Sequence, residues 1–308
     1  MMSNFQNNVR AVLMLLALTL SMPVVAQDFG YPSDKEFYKT HWNDVVADQG
    51  PDSMLELAQY VLFDFDKDGH AELYLWFTRG EEYLYAIRNN RVVRVNDTRQ
   101  PVNNEYHLES FYPHFMAPCQ LLLDQPVQEF VAMEQQSYDM MDVPRIWFGM
   151  HPVVEGTFGL KKAVEAIYCF DCHLLDDLLS ALASGQHSPE YYEEYVMDTR
   201  NGYAMARLKT PHMNMVEMCY WNLANGAKLL AMHYHLSEEY DGQVTWFEQT
   251  LFMKYNPVTK RLDPVVAPIE GFDFMTEYNF SLPRKGLNIN LIGAEDHELK
   301  WTGSGFRY

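Results

Sequence analysis

The chain has 308 residues, of which 48% are hydrophobic and 14% aromatic, and its formal net charge at pH 7 is -19. That length is enough for one large domain or two smaller ones, each with a buried core. The negative charge argues against nucleic acid or an anionic lipid surface as a partner, because both repel an acidic protein, and it favours the binding of cations.

The first 26 residues have the pattern of a secretory signal peptide. Arg10 precedes an apolar run over residues 11–20, and Ala26 is the small residue that signal peptidase requires. The run is shorter than the roughly 20 residues of a membrane-spanning helix, and no later stretch approaches that length. We therefore expect cleavage near Ala26 and a periplasmic or secreted protein whose mature chain has no membrane span.

Residues 27–100 are expected to form an N-terminal helix followed by a β-meander. Ser33 and Asp34 stand where they would cap a helix over residues 34–47, in which apolar side chains recur near helical spacing. The pattern that follows is typical of antiparallel strands joined by short turns. The predicted strands cover residues 60–63, 73–77, 83–88 and 91–95.

An acidic loop at residues 64–72 separates the first two of these strands. Its oxygen donors lie at alternating positions: Asp64, Asp66, Asp68, the main-chain carbonyl of His70, and Glu72. Calcium is a hard cation that takes six to eight oxygen ligands, and Gly69 permits the sharp bend that wraps such a loop around one ion. The sequence therefore predicts a structural calcium site. The alternative is a solvated acidic turn without an ion.

The loop resembles the β-hairpin calcium loop of FG-GAP and integrin-propeller repeats, which has the pattern DxDxDGxxE. Asp64, Asp66, Asp68 and Glu72 match that pattern residue by residue. The loop also resembles the start of an EF-hand, but Leu75 stands where that family has a bidentate glutamate. The resemblance implies a calcium ligand set. It does not imply a propeller, because a propeller needs several copies of the repeat.

Residues 101–195 form a middle segment in which six prolines between residues 101 and 152 interrupt regular structure. Residues 160–184 then carry an amphipathic helical pattern that ends at Gly185. We therefore expect irregular chain with short strands, followed by one long helix.

The predicted helix contains the sequence Cys-Phe-Asp-Cys-His. This resembles the haem-attachment motif of c-type cytochromes, in which Cys169 and Cys172 would bind haem c and His173 would bind its iron. A second interpretation is a thioredoxin-like redox pair. A third is that both cysteines are helical and are either buried or paired with Cys119 or Cys219, because an oxidising compartment permits disulfides.

Residues 196–308 are expected to form a C-terminal antiparallel β domain. Within it, His233 and His235 lie on one face of a predicted strand, because side chains two residues apart point to the same side. Two imidazoles at this spacing are able to share a transition metal, with Glu238 or Glu239 completing the site. Exposed histidines without a metal are the alternative interpretation.

The elements together predict a β-rich α+β fold with antiparallel meanders and a helical middle segment. Their combination is similar to a group of uncharacterised exported proteins of anaerobic Gram-negative bacteria. The similarity rests on the signal peptide, the helical start, the acidic loop followed by Leu73, and the Trp-Asn-Leu-x-Asn-Gly sequence that begins at Trp221. It implies no particular activity.

The function expected from these features is that of an exported calcium-binding protein, a non-catalytic module that binds a polymer or protein at the cell envelope. The alternatives are a secreted hydrolase with an unrecognised carboxylate site and a c-type haem protein. The chain has no Gly-x-Ser-x-Gly elbow, no phosphate-binding glycine loop and no His-Glu-x-x-His zinc helix, so these motifs identify no reaction.

Overall fold

The computed structural model describes residues 31–50, 58–76, 82–95, 115–127, 129–134, 145–150, 154, 156–170, 172–240, 243–274 and 276–308. The expected signal peptide, residues 1–26, lies outside them. In the described chain, strands outnumber helices and form three antiparallel sheets and one sheet of mixed direction. The predicted β-rich α+β fold class is therefore confirmed.

Two short helices and a five-stranded sheet make up the N-terminal part of the described chain. The helices are α1 (Pro32–Thr40) and α2 (Trp42–Gln49), and the strands are β1 (Gln59–Phe63), β2 (Glu72–Trp76), β3 (Glu82–Arg88), β4 (Arg91–Arg94) and β5 (Ala117–Pro118). The strands pair in the order β4-β3-β2-β1-β5. The predicted meander is confirmed, and β5 from the middle segment extends it beside β1.

Strand β2 lies at the centre of this sheet and is covered on both faces. Leu73 and Leu75 pack with Tyr38 of α1 and Val45 of α2, and all four side chains are fully buried. Tyr74 points to the opposite face, where it joins a smaller aromatic cluster. Burial on both faces explains why β2 is nearly continuous in its apolar character instead of alternating.

The start of the chain differs from its prediction in two ways. Helix α1 begins at Pro32, whose fixed φ angle suits the first helical position, and it has no side-chain cap. The single helix predicted over residues 34–47 is divided at His41 into α1 and α2. The carboxylate of Asp34, predicted as a cap, instead reaches the acidic loop.

In addition to β5, the described residues of the middle segment form a three-stranded sheet and three helices. Its elements are α3 (Cys119–Leu122), β6 (Glu129–Glu134), β7 (Arg145–Met150), α4 (Leu160–Glu165), β8 (Ile167–Phe170) and α5 (His173–Ser184). The prediction of one helix over residues 160–184 is wrong, because β8 interrupts it and pairs with β7. Pairing with a distant strand overrides the helical spacing of the apolar residues. Gly185 ends α5 in the left-handed conformation, as predicted.

The C-terminal part is built on a six-stranded antiparallel meander. Its strands are β9 (Tyr192–Asp198), β10 (Tyr203–Leu208), β11 (Met215–Asn222), β12 (Lys228–Tyr240), β13 (Gln243–Asn256) and β14 (Arg261–Val265). The strands pair in chain order, which confirms the predicted antiparallel arrangement. Helix α5 covers one face of the meander with its leucines Leu175, Leu178, Leu179 and Leu182.

A second five-stranded sheet covers the opposite face of the meander. Its strands are β15 (Ile269–Glu270), β16 (Asn279–Ser281), β17 (Ile289–Ile292), β18 (His297–Trp301) and β19 (Phe306–Arg307). The shared core is rich in aromatic side chains, which include Phe115, Trp221, Phe252, Phe280 and Phe306. The indole N–H of Trp221 also donates to the carbonyl of Leu287 at 2.8 Å. The meander is therefore enclosed by helix on one face and by sheet on the other.

Candidate metal centre

The acidic loop at residues 64–72 joins β1 to β2, which stay paired up to the residues that flank the loop. Lys67 and Gly69 have positive φ angles of 59° and 94°, and these produce its tight curvature. The carboxylate of Asp64 accepts hydrogen bonds from the main-chain N–H groups of Asp68 (3.1 Å) and Gly69 (3.0 Å). The loop is therefore closed in part by one of its own acidic side chains.

Three carboxylates of the loop lie together. Oxygens of Asp64, Asp66 and Glu72 are within 4.8 Å of one another, so that one metal ion is able to contact all three. Glu72 is only 1% exposed, and its carboxylate accepts a hydrogen bond from the main-chain N–H of Phe65 at 2.8 Å. Burial, together with the nearby aspartates, raises the pKa of Glu72 to about 7. The cluster gathers negative charge that a bound cation would stabilise.

The fourth carboxylate of the loop, Asp68, turns towards Arg88 at the end of β3. The guanidinium of Arg88 donates to Asp68 at 2.8 Å and to Asp66 at 2.6 Å. The pKa of Asp68 is lowered, first by a hydrogen bond from the main-chain N–H of His70 (2.8 Å) and then by Arg88. The sequence predicted Asp68 as a calcium ligand, whereas its oxygens are not part of the three-carboxylate cluster.

Asp34 of α1 holds the far side of the loop, a contact that no sequence pattern indicated. Its carboxylate is 5% exposed, accepts a hydrogen bond from the main-chain N–H of Ala71 (2.8 Å) and lies 3.1 Å from Nδ1 of His70. The hydrogen bond with Asp34 raises the pKa of His70, and the charge of Asp34 adds to this effect. The imidazole of His70 therefore faces α1, and the calcium prediction uses only its main-chain carbonyl.

Two tyrosines also attach the loop to the start of the described chain. The buried hydroxyl of Tyr38 lies 3.0 Å from the carbonyl oxygen of Ala71 and 2.9 Å from that of Tyr85, so that both carbonyls are acceptors for its single hydrogen. The phenol of Tyr31 hydrogen-bonds to the main chain of Asp64. Both ends of the loop are thus fixed, which holds its carboxylates on a rigid support.

A second group of polar side chains lies on the meander, on the face covered by the C-terminal sheet. The carboxylate of Glu248 on β13 lies 3.2 Å from Nδ1 of His235 and 3.6 Å from Nε2 of His233 on β12. The predicted metal partners, Glu238 and Glu239, have side chains outside the described set. Among the described side chains, only the loop cluster brings three acidic, histidine or cysteine ligand atoms within 4.8 Å.

Glu217 of β11 is a buried carboxyl group on the same face, and sequence reasoning did not identify it. The hydroxyl of Tyr203 donates to one of its oxygens and the main-chain N–H of Leu282 donates to the other, both at 2.8 Å. Burial raises the pKa of Glu217 to about 7. The side chain is only 3% exposed. Its hydrogen bond with Leu282 connects β11 to the chain after β16.

The Cys-Phe-Asp-Cys-His segment spans the end of β8 and the start of α5. Cys169 and Cys172 are buried, whereas His173 is exposed. All four cysteines of the chain are in the reduced, thiol form in the structure. The two cysteines and the histidine therefore do not share one accessible surface, and haem attachment stays a prediction from the sequence.

Comparison of the chain with protein-family models, curated proteins and solved structures finds no match. The resemblances to FG-GAP loops and to exported proteins of anaerobic bacteria stay predictions from the sequence. None of the described helices has the length and apolar character needed to cross a membrane. The site is therefore defined by its own geometry, as a cluster of three carboxylates that is able to hold a metal ion.

Proposed function

We propose that the loop at residues 64–72 binds one calcium ion, and that this ion stabilises an exported protein. The observation that carries the proposal is the convergence of Asp64, Asp66 and Glu72 at the end of a hairpin. Calcium prefers oxygen ligands of this kind. The attachment of the loop to α1 and β3 holds the carboxylates in place before the ion binds, which lowers the entropic cost of ordering them.

Calcium fits this ligand set better than other biological cations. Zinc and the later transition metals favour nitrogen or sulfur ligands, and the cluster offers oxygens only. Magnesium demands near-ideal octahedral geometry and retains its waters, whereas calcium accepts irregular sets of carboxylate and carbonyl oxygens. Extracellular modules bind calcium with dissociation constants of roughly 0.1–1 mM, which suits the compartment that the signal peptide predicts.

Calorimetric titration of the mature chain, residues 27–308, tests the proposal. We expect one calcium site with a dissociation constant of roughly 0.1–1 mM and a weaker response to magnesium. The double variant Asp64→Asn with Asp66→Asn should lose the site, because two of its three charged ligands become neutral amides.

The matched control replaces two exposed acidic residues in the turn between β17 and β18, Glu295→Gln with Asp296→Asn. It changes the net charge by the same amount at a distant surface, so it should bind calcium as the wild type does. Unchanged calcium binding by the loop variant would contradict the assignment of the site.

We also propose that the calcium-stabilised chain is a non-catalytic module that binds a polymer or protein of the cell envelope. Support comes from the signal-peptide pattern and from the lack of the catalytic motifs named above. Co-sedimentation with insoluble cell-wall polymer tests this, provided that release of soluble fragments is measured in the same tube. Binding without release supports the module, whereas calcium-dependent release would favour the hydrolase alternative.

A further inference from the structure

Cys169 and Cys172 contact each other where β8 passes into α5. Cys169 is the next-to-last residue of β8, and Cys172 is the N-cap residue of α5. Their thiols are hydrogen-bonded to each other, and the main-chain N–H of Cys172 donates to the sulfur of Cys169. The two cysteines, which have two residues between them in the sequence, therefore have their sulfur atoms together at the passage from strand to helix.

The other two cysteines provide an internal comparison. Cys119 lies in the core of the N-terminal sheet and Cys219 lies between the meander and the C-terminal sheet, whereas Cys169 and Cys172 share the core under α5. Burial is what raises the pKa of Cys119, but for Cys169 the hydrogen bond with Cys172 is the first cause and burial the second. The contact between sulfurs distinguishes this pair from cysteines that only fill the core.

We propose that Cys169 and Cys172 are a dithiol–disulfide pair that becomes oxidised when the chain folds in the presence of a disulfide oxidant. One cysteine thiolate attacks the oxidant, R–S–S–R, and releases one RS⁻; the second thiolate attacks the mixed disulfide and releases the other. The S–S bond between Cys169 and Cys172 replaces the S–S bond of the oxidant. The protein loses two electrons and two protons, and the oxidant leaves as two R–SH molecules.

The surroundings of the pair suit both redox forms. The phenol of Tyr234 lies close enough for the charges of both sulfurs to raise its pKa, and it donates to Gln249 at 3.1 Å. The amide of Gln249 donates to Gln59 of β1 at 3.0 Å. The Tyr234 hydroxyl keeps its acceptor in Gln249 when the thiols lose their protons, so oxidation leaves that hydrogen bond intact.

Burial of both sulfurs also predicts how the bond behaves once it is formed. Thiol–disulfide exchange requires a thiolate to reach a sulfur atom, and both sulfurs are at most 6% exposed by residue. A soluble thiol should therefore reduce the disulfide slowly in the folded protein and at least tenfold faster after unfolding in denaturant. An exposed bond between the same residues would be reduced at similar rates in both states.

The direct test is mass spectrometry of the wild-type mature chain, since it requires no variant to fold. One sample is incubated folded, and another is refolded from denaturant, in glutathione buffers of increasing oxidised fraction. Each is quenched in acid, unfolded, alkylated and digested. We expect that Cys119 and Cys219 are alkylated and that Cys169 and Cys172 are not. The peptide that contains Cys169 and Cys172 should be lighter by two hydrogen atoms than its reduced, unalkylated form.

Two single variants locate the bond. Cys119→Ala should retain the bridge, and Cys172→Ala should leave Cys169 open to alkylation or to a mixed disulfide with glutathione. Four alkylated cysteines in both wild-type samples, at the most oxidising ratio, would overturn the proposal. So would a bridge that joins Cys119 or Cys219 to either member of the pair.

Discussion

Arg88 balances the charge of the acidic loop and also affects the ion that we propose to bind there. Its guanidinium contacts Asp66 and Asp68, and Asp66 belongs to the three-carboxylate cluster. A cation in that cluster would lie near the guanidinium and be repelled by it. Arg88 therefore stabilises the loop when it holds no ion and weakens the binding of the ion.

Replacing Arg88 with methionine should tighten calcium binding. Loss of the repulsion is worth on the order of 1 kcal/mol after solvent screening, which corresponds to about fivefold in the dissociation constant. Arg91→Met, an exposed position on β4, gives the same change in net charge and should leave the constant within about twofold of the wild type. Calorimetry measures both, and an equal or weaker affinity of the Arg88 variant would contradict this account of the loop.

Asp34 and Glu248 illustrate which site residues a sequence reveals. Asp34 stands at a helix start and reads as a cap, so its contact with Ala71 appears only when α1 packs on the sheet. Glu248 was missed as well, but the Asp-Gly sequence between β12 and β13 is a signal for a two-residue hairpin turn. Strands β12 and β13 pair in the register that places Glu248 opposite His235. The sequence therefore carries a local signal for the contact between Glu248 and His235, but it carries none for the contact between Asp34 and Ala71.

The hairpins were predicted well because strand pattern and turn chemistry are both local. The strands predicted at residues 60–63, 83–88 and 91–95 begin and end within one residue of those observed. Strand β8 was missed for the opposite reason. It pairs with β7, whose partner residues lie about twenty positions away, and its apolar residues also fit the helical pattern around them. The periodicity of apolar residues alone does not distinguish a short buried strand from part of a buried helix.

Gly202 in the turn between β9 and β10 should tolerate no side chain. Its φ angle is +69°, and a Cβ atom there would lie 2.6 Å from the ring of Tyr220. Gly202→Ala should lower the free energy of unfolding by about 2–4 kcal/mol, from backbone strain and overlap with the ring. Gly271→Ala is the control, because its φ angle is +76° with no atom within 4 Å, and it should cost about 1–2 kcal/mol. Denaturant unfolding measures both, and equal losses would show that Tyr220 moves aside.

At the scale of the whole molecule, Glu217 connects the meander to the sheet that covers it. It accepts hydrogen bonds from Tyr203 within the meander and from Leu282 after β16. No sequence pattern pairs these residues, because their contact depends on how two sheets stack. The same holds for the hydrogen bond between Gln249 and Gln59, which joins the meander to the N-terminal sheet. The pairing of strands joined by short turns was predictable, and packing between sheets was not.

Glu217 should make stability fall as pH rises. Its folded pKa of about 7 lies above the ordinary value of 4.5, so the folded state holds a proton that the unfolded state releases. The stabilisation is complete below about pH 4.5 and is lost as pH rises through about 7, by roughly 3 kcal/mol at most. Glu217→Gln should remove this part of the pH dependence, because an amide does not titrate.

Glu72 titrates in the same range, so the comparison needs metal-free buffer and a charge-matched control. Glu277→Gln, at an exposed position, should follow the wild type at every pH. Urea unfolding from pH 4.5 to pH 8 measures the free energy of unfolding of the wild type, of Glu217→Gln and of Glu277→Gln as a function of pH. Parallel curves for the wild type and the Glu217 variant would mean that Glu217 is ionised in the fold throughout this range.

The proposed calcium ion is the central claim, and a thermal melt of the mature chain, in EDTA and across a calcium series, tests it most directly. An ion that binds only the folded state raises the midpoint with the logarithm of its concentration. At 10 mM calcium, a dissociation constant of roughly 0.1–1 mM predicts about 1–3 kcal/mol of stabilisation, or a rise of several degrees. This rise should vanish in Asp64→Asn with Asp66→Asn and persist in Glu295→Gln with Asp296→Asn. A midpoint that does not change with calcium would contradict the account and leave residues 64–72 as an acidic turn held by Arg88 and Asp34.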